Sequence, residues 1–170
     1  HEVIRLSGMN LIIDDNDHPL IIKVASIQQA RMQVYFIDNE DYFHRKALFT
    51  DKSDKFFEDN DERVIFFARG VLETVKKLGW PPDVIHCHGW FTSLAPLYIK
   101  RSFKDNPLFS DSKVILSLYD DDFPESLSPD FTKKLKFGKI KEADLKNYKL
   151  NNYEGLIKGA IDHSDAFIMG

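Results

Sequence analysis

The sequence predicts an α/β protein: a doubly wound, mostly parallel sheet with a β-hairpin extension at the N-terminus. Three observations carry this. From residue 59 onward, stretches with helical spacing alternate with short apolar runs, as helices do when they cross over between parallel strands. Residues 82–100, PDVIHCHGWFTSLAPLYIK, read as a strand over 83–86, a tight turn at His88-Gly89 and a helix from about Thr92. Turns of that kind lie at the carboxyl edge of a parallel sheet, where open α/β folds place their ligands. At the start, apolar runs at 3–14 and 20–28 flank Asp14-Asp15-Asn16-Asp17-His18-Pro19, a strong turn signal.

The elements follow in order. Residues 30–38 supply a third strand through Val34-Tyr35-Phe36-Ile37, and residues 38–61 form a long polar connection carrying several aromatics. Asp59, Asn60, Asp61 and Glu62 cap a helix and place acids in its first turn. Val64, Phe67, Ala68, Val71, Leu72, Val75 and Leu78 recur at helical spacing along it, and Gly79, Pro81 and Pro82 end it. After the central strand, Thr92 or Ser93 is placed to cap the next helix, with Pro96 in its first turn. Residues 113–119 are another apolar strand, followed by the acidic loop Asp120-Asp121-Asp122. Ser128 is placed to cap a short helix over 129–136, residues 133–149 are lysine-rich with little periodicity, 153–163 read as a helix and 165–169 as a last strand.

With 170 residues, 43% apolar and 29% charged, the chain has the balance and length of one globular domain. Its 23 basic and 27 acidic residues give a net charge of −4, so no global field draws it to nucleic acid or an anionic membrane. No apolar run approaches the roughly 18 residues of a membrane span, and no signal peptide is visible. A single cysteine excludes an internal disulfide and fits a cytoplasmic setting. The first residue is His1, which points to a chain processed or cut from something longer.

The central segment resembles the PDVIHxHDWHTALAPLYLK stretch of bacterial glycogen synthases and plant starch synthases. Residues 35–45, YFIDNEDYFHR, resemble that family's YFIDxPxYFxR, and residues 59–67, DNDERVIFF, its DNxERFxFF. The three matches stand in the family's order and cover roughly residues 34–100. The resemblance implies a Rossmann-like sheet that forms half of a two-domain GT-B glycosyltransferase. On that reading residues 1–170 are a truncated N-terminal, acceptor-side domain. The family's first strand with its Lys-x-Gly-Gly turn, and its C-terminal nucleotide-binding domain, would be missing. The activity implied is retaining transfer of glucose from a nucleoside diphosphate glucose, ADP-glucose or UDP-glucose, to the non-reducing end of an α-1,4-glucan. Glucan and sugar nucleotide would be the partners, with no cofactor.

The resemblance also implies site residues. His88 would sit in the crevice beside the sugar, with His86 as half-buried support. Gly89 stands where the family has an aspartate, and ungapped alignment puts Tyr119 where it has a histidine and Asp120 where it has an asparagine. Asp38, Tyr42, Arg45 and Trp90 belong to the matched segments and are candidate substrate contacts, with Arg45 a natural partner for Asp38. The departures at Gly89 and Tyr119 keep a second reading open, a degraded synthase-like module that grips glucan or regulates another synthase. They also predict a weak site that Gly89→Asp with Tyr119→His would restore. A receiver-like module using Asp120 to Asp122 is a third reading, which the three ordered matches oppose. No metal is expected. Tetrahedral zinc needs about four ligands, and an extended strand turns Cys87 away from both neighbouring histidines.

Overall fold

The computed structural model describes residues 2–170. Strands β1 (Ile4–Ile13), β2 (Asn16–Ile27) and β3 (Met32–Asp38) form an antiparallel sheet in that order. The turn expected over six residues takes only two, Asp14 and Asp15, both left-handed with φ of 49° and 62°. Positive φ at both central positions matches the right-handed twist of a hairpin, so the strands pair up to the turn itself, Ile13 opposite Asn16. Pro19 therefore lies inside β2, opposite Asn10. Leu11, Ile13, Leu20 and Ile22 are buried, while Ile12 between two of them is exposed, the period of two that a half-buried sheet requires.

Residues 38–61 are less open than a surface loop. Asn39 caps the short helix α1 (Glu40–Phe43) by accepting from the Tyr42 N–H at 2.9 Å, and a single bridge joins Thr50 to Phe56. Helix α2 (Asn60–Leu78) forms where the spacing predicts it, but its buried face is shifted. Val64, Ala68 and Leu72 are buried together with Ile65 and Phe66, while Phe67, Val71, Val75 and Leu78 of the expected face are only half-buried. Gly79 ends it in a left-handed conformation, its N–H on the Val75 carbonyl. Asp59 does not cap α2 with its side chain; its carboxylate goes to Arg45 instead.

Strands β4 (Val84–His88), β5 (Lys113–Leu118) and β6 (Ala166–Met169) form the parallel sheet, in that order. The passage after β4 differs from the single helix expected from Thr92. It opens as a 3-10 turn over Trp90–Thr92, becomes α-helical over α3 (Ala95–Leu97) and widens to a π turn over Tyr98–Ser102. Neither expected cap acts as one. The Thr92 hydroxyl donates back to the Gly89 carbonyl at 2.8 Å, and Ser93 is buried.

Between β5 and β6 lie α4 (Phe131–Leu135), 3-10 turns at Glu142–Leu145 and Asn147–Leu150, and α5 (Tyr153–Asp162). Pro129 precedes α4 rather than occupying its first position, and the Ser128 hydroxyl bonds the Asp130 carboxylate instead of capping the helix. Asn152 caps α5, accepting from the Gly155 N–H at 2.9 Å. Helices α3 and α5 touch, so both crossovers cover one face of the sheet. One core cluster runs from Leu11 on the hairpin through α2 to Leu116 on β5 and Leu156 on α5. The mixed α/β architecture with an antiparallel N-terminal sheet is thus the expected one.

Candidate functional site

Strand β4 delivers alternate side chains to opposite faces. Cys87 turns into the core at 4% exposure, and burial pushes its thiol up to about 11. His86 and His88 project from the other face with ring centroids 3.9 Å apart. Each ring meets a hydroxyl from the next strand or its end: His86 Nε2 lies 2.7 Å from Ser117 Oγ, and His88 Nδ1 2.7 Å from Tyr119 Oη. The parallel register, His88 opposite Ser117, makes both pairings possible.

Gly89 follows with φ 76° and ψ 172°, a backbone region essentially closed to residues with a Cβ. Its N–H continues the ladder onto the Ser117 carbonyl at 3.1 Å. The next N–H, of Trp90, donates to Asp121 Oδ2 at 2.9 Å. Asp121 Oδ1 accepts from the Tyr153 hydroxyl at 3.1 Å. Burial first, and then that hydrogen bond to a carboxylate, push the Tyr153 phenol up to about 12. One carboxylate thus ties the turn after β4, the loop after β5 and the first residue of α5 together. In the sequence Asp121 stands only as one of the acidic run Asp120-Asp121-Asp122, with nothing to set it apart from its neighbours, and Tyr153 only opens a helical stretch. Asp121 stands 31 residues from Trp90, and no local pattern joins them.

The expected site residues fall into two groups. His88, Gly89, Tyr119 and Asp120 come together at the carboxyl edge of the parallel sheet, Tyr119 46% exposed and Asp120 exposed. Trp90 is adjacent but only 2% exposed, its ring among Phe49, Phe91 and Phe123 at 4.7–5.3 Å between centroids. It presents a backbone N–H to the site, not a ring face. Tyr42 is likewise interior, its hydroxyl beside His18 Nε2 (3.2 Å) and Glu62 Oε1 (3.3 Å).

The expected Asp38–Arg45 pair does not form. Arg45 takes both Asp59 oxygens, at 2.7 and 2.5 Å, and the Asp41 carbonyl at 2.8 Å. The short helix α1 turns Arg45 toward the start of α2 and leaves Asp38 at the end of β3, where it meets Lys23 Nζ (2.6 Å) and His44 Nε2 (2.9 Å). Burial pushes the Asp38 carboxyl up, but hydrogen bonds from Lys23 and His44 more than offset this, and the net shift is downward. A carboxyl lowered on folding adds stability above its unfolded pKa and loses it as pH falls through the folded value. Asp38→Asn should therefore flatten the loss of stability on the acid side of about pH 4, read as urea midpoints across a pH series. An unchanged acid limb would contradict the pairing.

Among the described residues, no three His, Cys, Asp or Glu side chains gather as a metal would require, and no helix is long and apolar enough to cross a membrane. The strand edge instead presents an imidazole, a phenol and carboxylates side by side. Such a set donates and accepts hydrogen bonds in several directions, as recognition of a polyhydroxyl ligand requires.

The comparisons with known proteins agree with one another. Glycogen synthases of Chlorobium limicola and Chlorobium phaeobacteroides are 43% and 42% identical to this chain over 120 residues, 70% of its length. The chain spans about a quarter of the length of these relatives, 24% in each case. The catalytic domain of Starch Synthase IV from Arabidopsis thaliana, solved bound to ADP and acarbose, superposes with a TM-score of 0.74. That match covers 98% of this chain and 33% of the other at 17% identity, a likeness of fold. The family profile described as the starch synthase catalytic domain matches residues 1–169, and the chain belongs to that family.

Proposed function

We propose that the chain is the acceptor-side, N-terminal part of a glycogen or starch synthase. The reaction is retaining transfer of glucose from a nucleoside diphosphate glucose to the non-reducing end of an α-1,4-glucan, in the cytoplasm. The observation that supports this most is the family match over residues 1–169 together with the place of His88, Tyr119 and Asp120 at the sheet's carboxyl edge. Such a transfer asks the protein to position two sugars and to stabilise an oxocarbenium-like centre and a leaving diphosphate. His88, held by Tyr119, and Asp120 are suited to hydroxyl contacts on the reacting glucose. Asp38 and Arg45 hold the segment after β3 through their ion pairs with Lys23, His44 and Asp59, and Tyr42 and Trp90 contribute packing rather than substrate contacts.

A crevice closed by two domains is incomplete with one. The 170-residue chain should bind maltoheptaose weakly, with NMR shifts at His88 and Tyr119, yet add no radiolabelled glucose from ADP-glucose to glycogen above a blank. Joined to a nucleotide-binding half, it should transfer. Label incorporated by the chain alone would contradict the two-domain reading, and saccharide shifts confined to other surfaces would contradict the site.

The degraded-module alternative draws on Gly89 and Tyr119. It predicts binding without transfer even when the chain is joined to the second half.

A further inference from the structure

Gly89 and Asp121 share one point in space. A Cβ built on Gly89 would stand 2.8 Å from Asp121 Oδ2, closer than carbon and oxygen approach without something shifting. The volume of a side chain at position 89 is therefore filled, and what fills it is a carboxylate from the neighbouring loop. Both of its oxygens are engaged, one by Trp90 N–H and one by the Tyr153 hydroxyl. Gly89 is also the residue that caps the 3-10 turn Trp90–Thr92, yet it has no side chain to accept any of the turn's free N–H groups; Asp121 accepts one of them, that of Trp90.

We infer that Asp121 is the positioning residue of the site, supplying from the loop after β5 the carboxylate that position 89 lacks and fixing the His88-Gly89-Trp90 turn against Tyr119. Positions 89 and 121 are then alternative hosts for one carboxylate. The ψ of 172° at Gly89 already suits an N-cap. Only its φ of 76° would have to change sign for an aspartate there to accept the N–H groups of the turn. With Asp121 in place that rearrangement is blocked by its oxygen and its charge. With Asp121 removed it is open. Gly89→Asp alone is therefore no restoration of the site: it puts two carboxylates where one fits.

The inference rests on the glucosyl-transfer reading for its functional half only, so its test has two arms. In the first, urea unfolding of the full 170-residue chain compares Gly89→Asp, Asp121→Gly and the double variant. Gly89→Asp should lower the folded-to-unfolded ratio about a hundredfold, through backbone strain and like charge. Asp121→Gly should lower it about tenfold, through a lost cap. The double variant should be at least tenfold more stable than the product of the single effects. If Gly89→Asp does not fold at all, a folded double variant supports the exchange. Additive effects, or a double variant that unfolds while Asp121→Gly folds, overturn it.

In the second arm, Asp121→Asn keeps the shape and removes the charge. In the transferase joined to its nucleotide-binding half, it should lower kcat tenfold or more while KM for maltoheptaose stays within about threefold. Unchanged kcat overturns the positioning role and leaves Asp121 a loop clamp. If the unsubstituted protein transfers no glucose, the functional reading fails, and the unfolding cycle decides the exchange by itself.

Discussion

Arg63→Ala should destabilise the protein by about 3–5 kcal/mol, among the largest effects of any single truncation. Arg63 is 4% exposed on α2 and donates to three acceptors: the Tyr42 carbonyl (2.8 Å), the Leu48 carbonyl (2.7 Å) and Asn60 Oδ1 (2.6 Å). Its guanidinium also lies over Phe57, Phe91 and Phe43, at 5.3–5.7 Å from the ring centroids. Burial lowers its pKa to about 10, so it stays charged at neutral pH. Truncation would strand buried acceptors and leave a cavity among aromatic rings. The thermal midpoint should fall by about 10 °C on the scale of 2–4 °C per kcal/mol for a chain of this size. Arg63→Lys should recover less than half of this, because one ammonium cannot reach three acceptors fixed by a planar fork. A loss under about 1 kcal/mol for the alanine variant would mean that residues 39–60 are held to α2 by something else.

Gly159→Ala should cost about 2–4 kcal/mol although it adds a single methyl group. A Cβ there would lie 2.2 Å from Tyr148 Cζ, and Tyr148 is 1% exposed with no room to retreat. Gly155, one turn earlier, faces the Asn147 carbonyl at 2.6 Å by the same construction. The two glycines give α5 a flat strip on which the turn Asn147–Leu150 lies directly. Shrinking the ring should relieve the clash: in a Tyr148→Leu background, Gly159→Ala should cost less than half as much by urea unfolding. Equal costs in both backgrounds would show that the ring is not the obstacle.

The parts legible in the sequence are those written in local spacing. Helix α2 shows its apolar repeat and its glycine stop, and β4 shows its alternation, reading two residues short because only pairing with β5 shows that it runs to His88. The turns at Glu142–Leu145 and Asn147–Leu150 were hidden by the lysines around them. Leu145 and Tyr148, three residues apart and both buried, were the available signal. The carboxylate pairings were not legible. Asp38 and Asp59 flank Arg45 in the sequence, and only the direction in which α1 turns the chain decides between them. The Asp120-Asp121-Asp122 run reads as a solvated turn, and its middle member acquires its partners only once β4 lies beside β5 and α5 packs against the loop.

The crowding between Gly89 and Asp121 has a bearing on ancestry. A sequence with neither acid has lost one cap, which a marginally stable protein can survive; a sequence with both carries like charges and a strained backbone at the same point. Substitutions between the two arrangements are then ordered. Position 121 must surrender its acid before position 89 can gain one, and in the opposite direction position 89 must become glycine before 121 turns acidic. Each lineage passes through the poorer capless intermediate, so a change of host would be rare and, once made, slow to reverse.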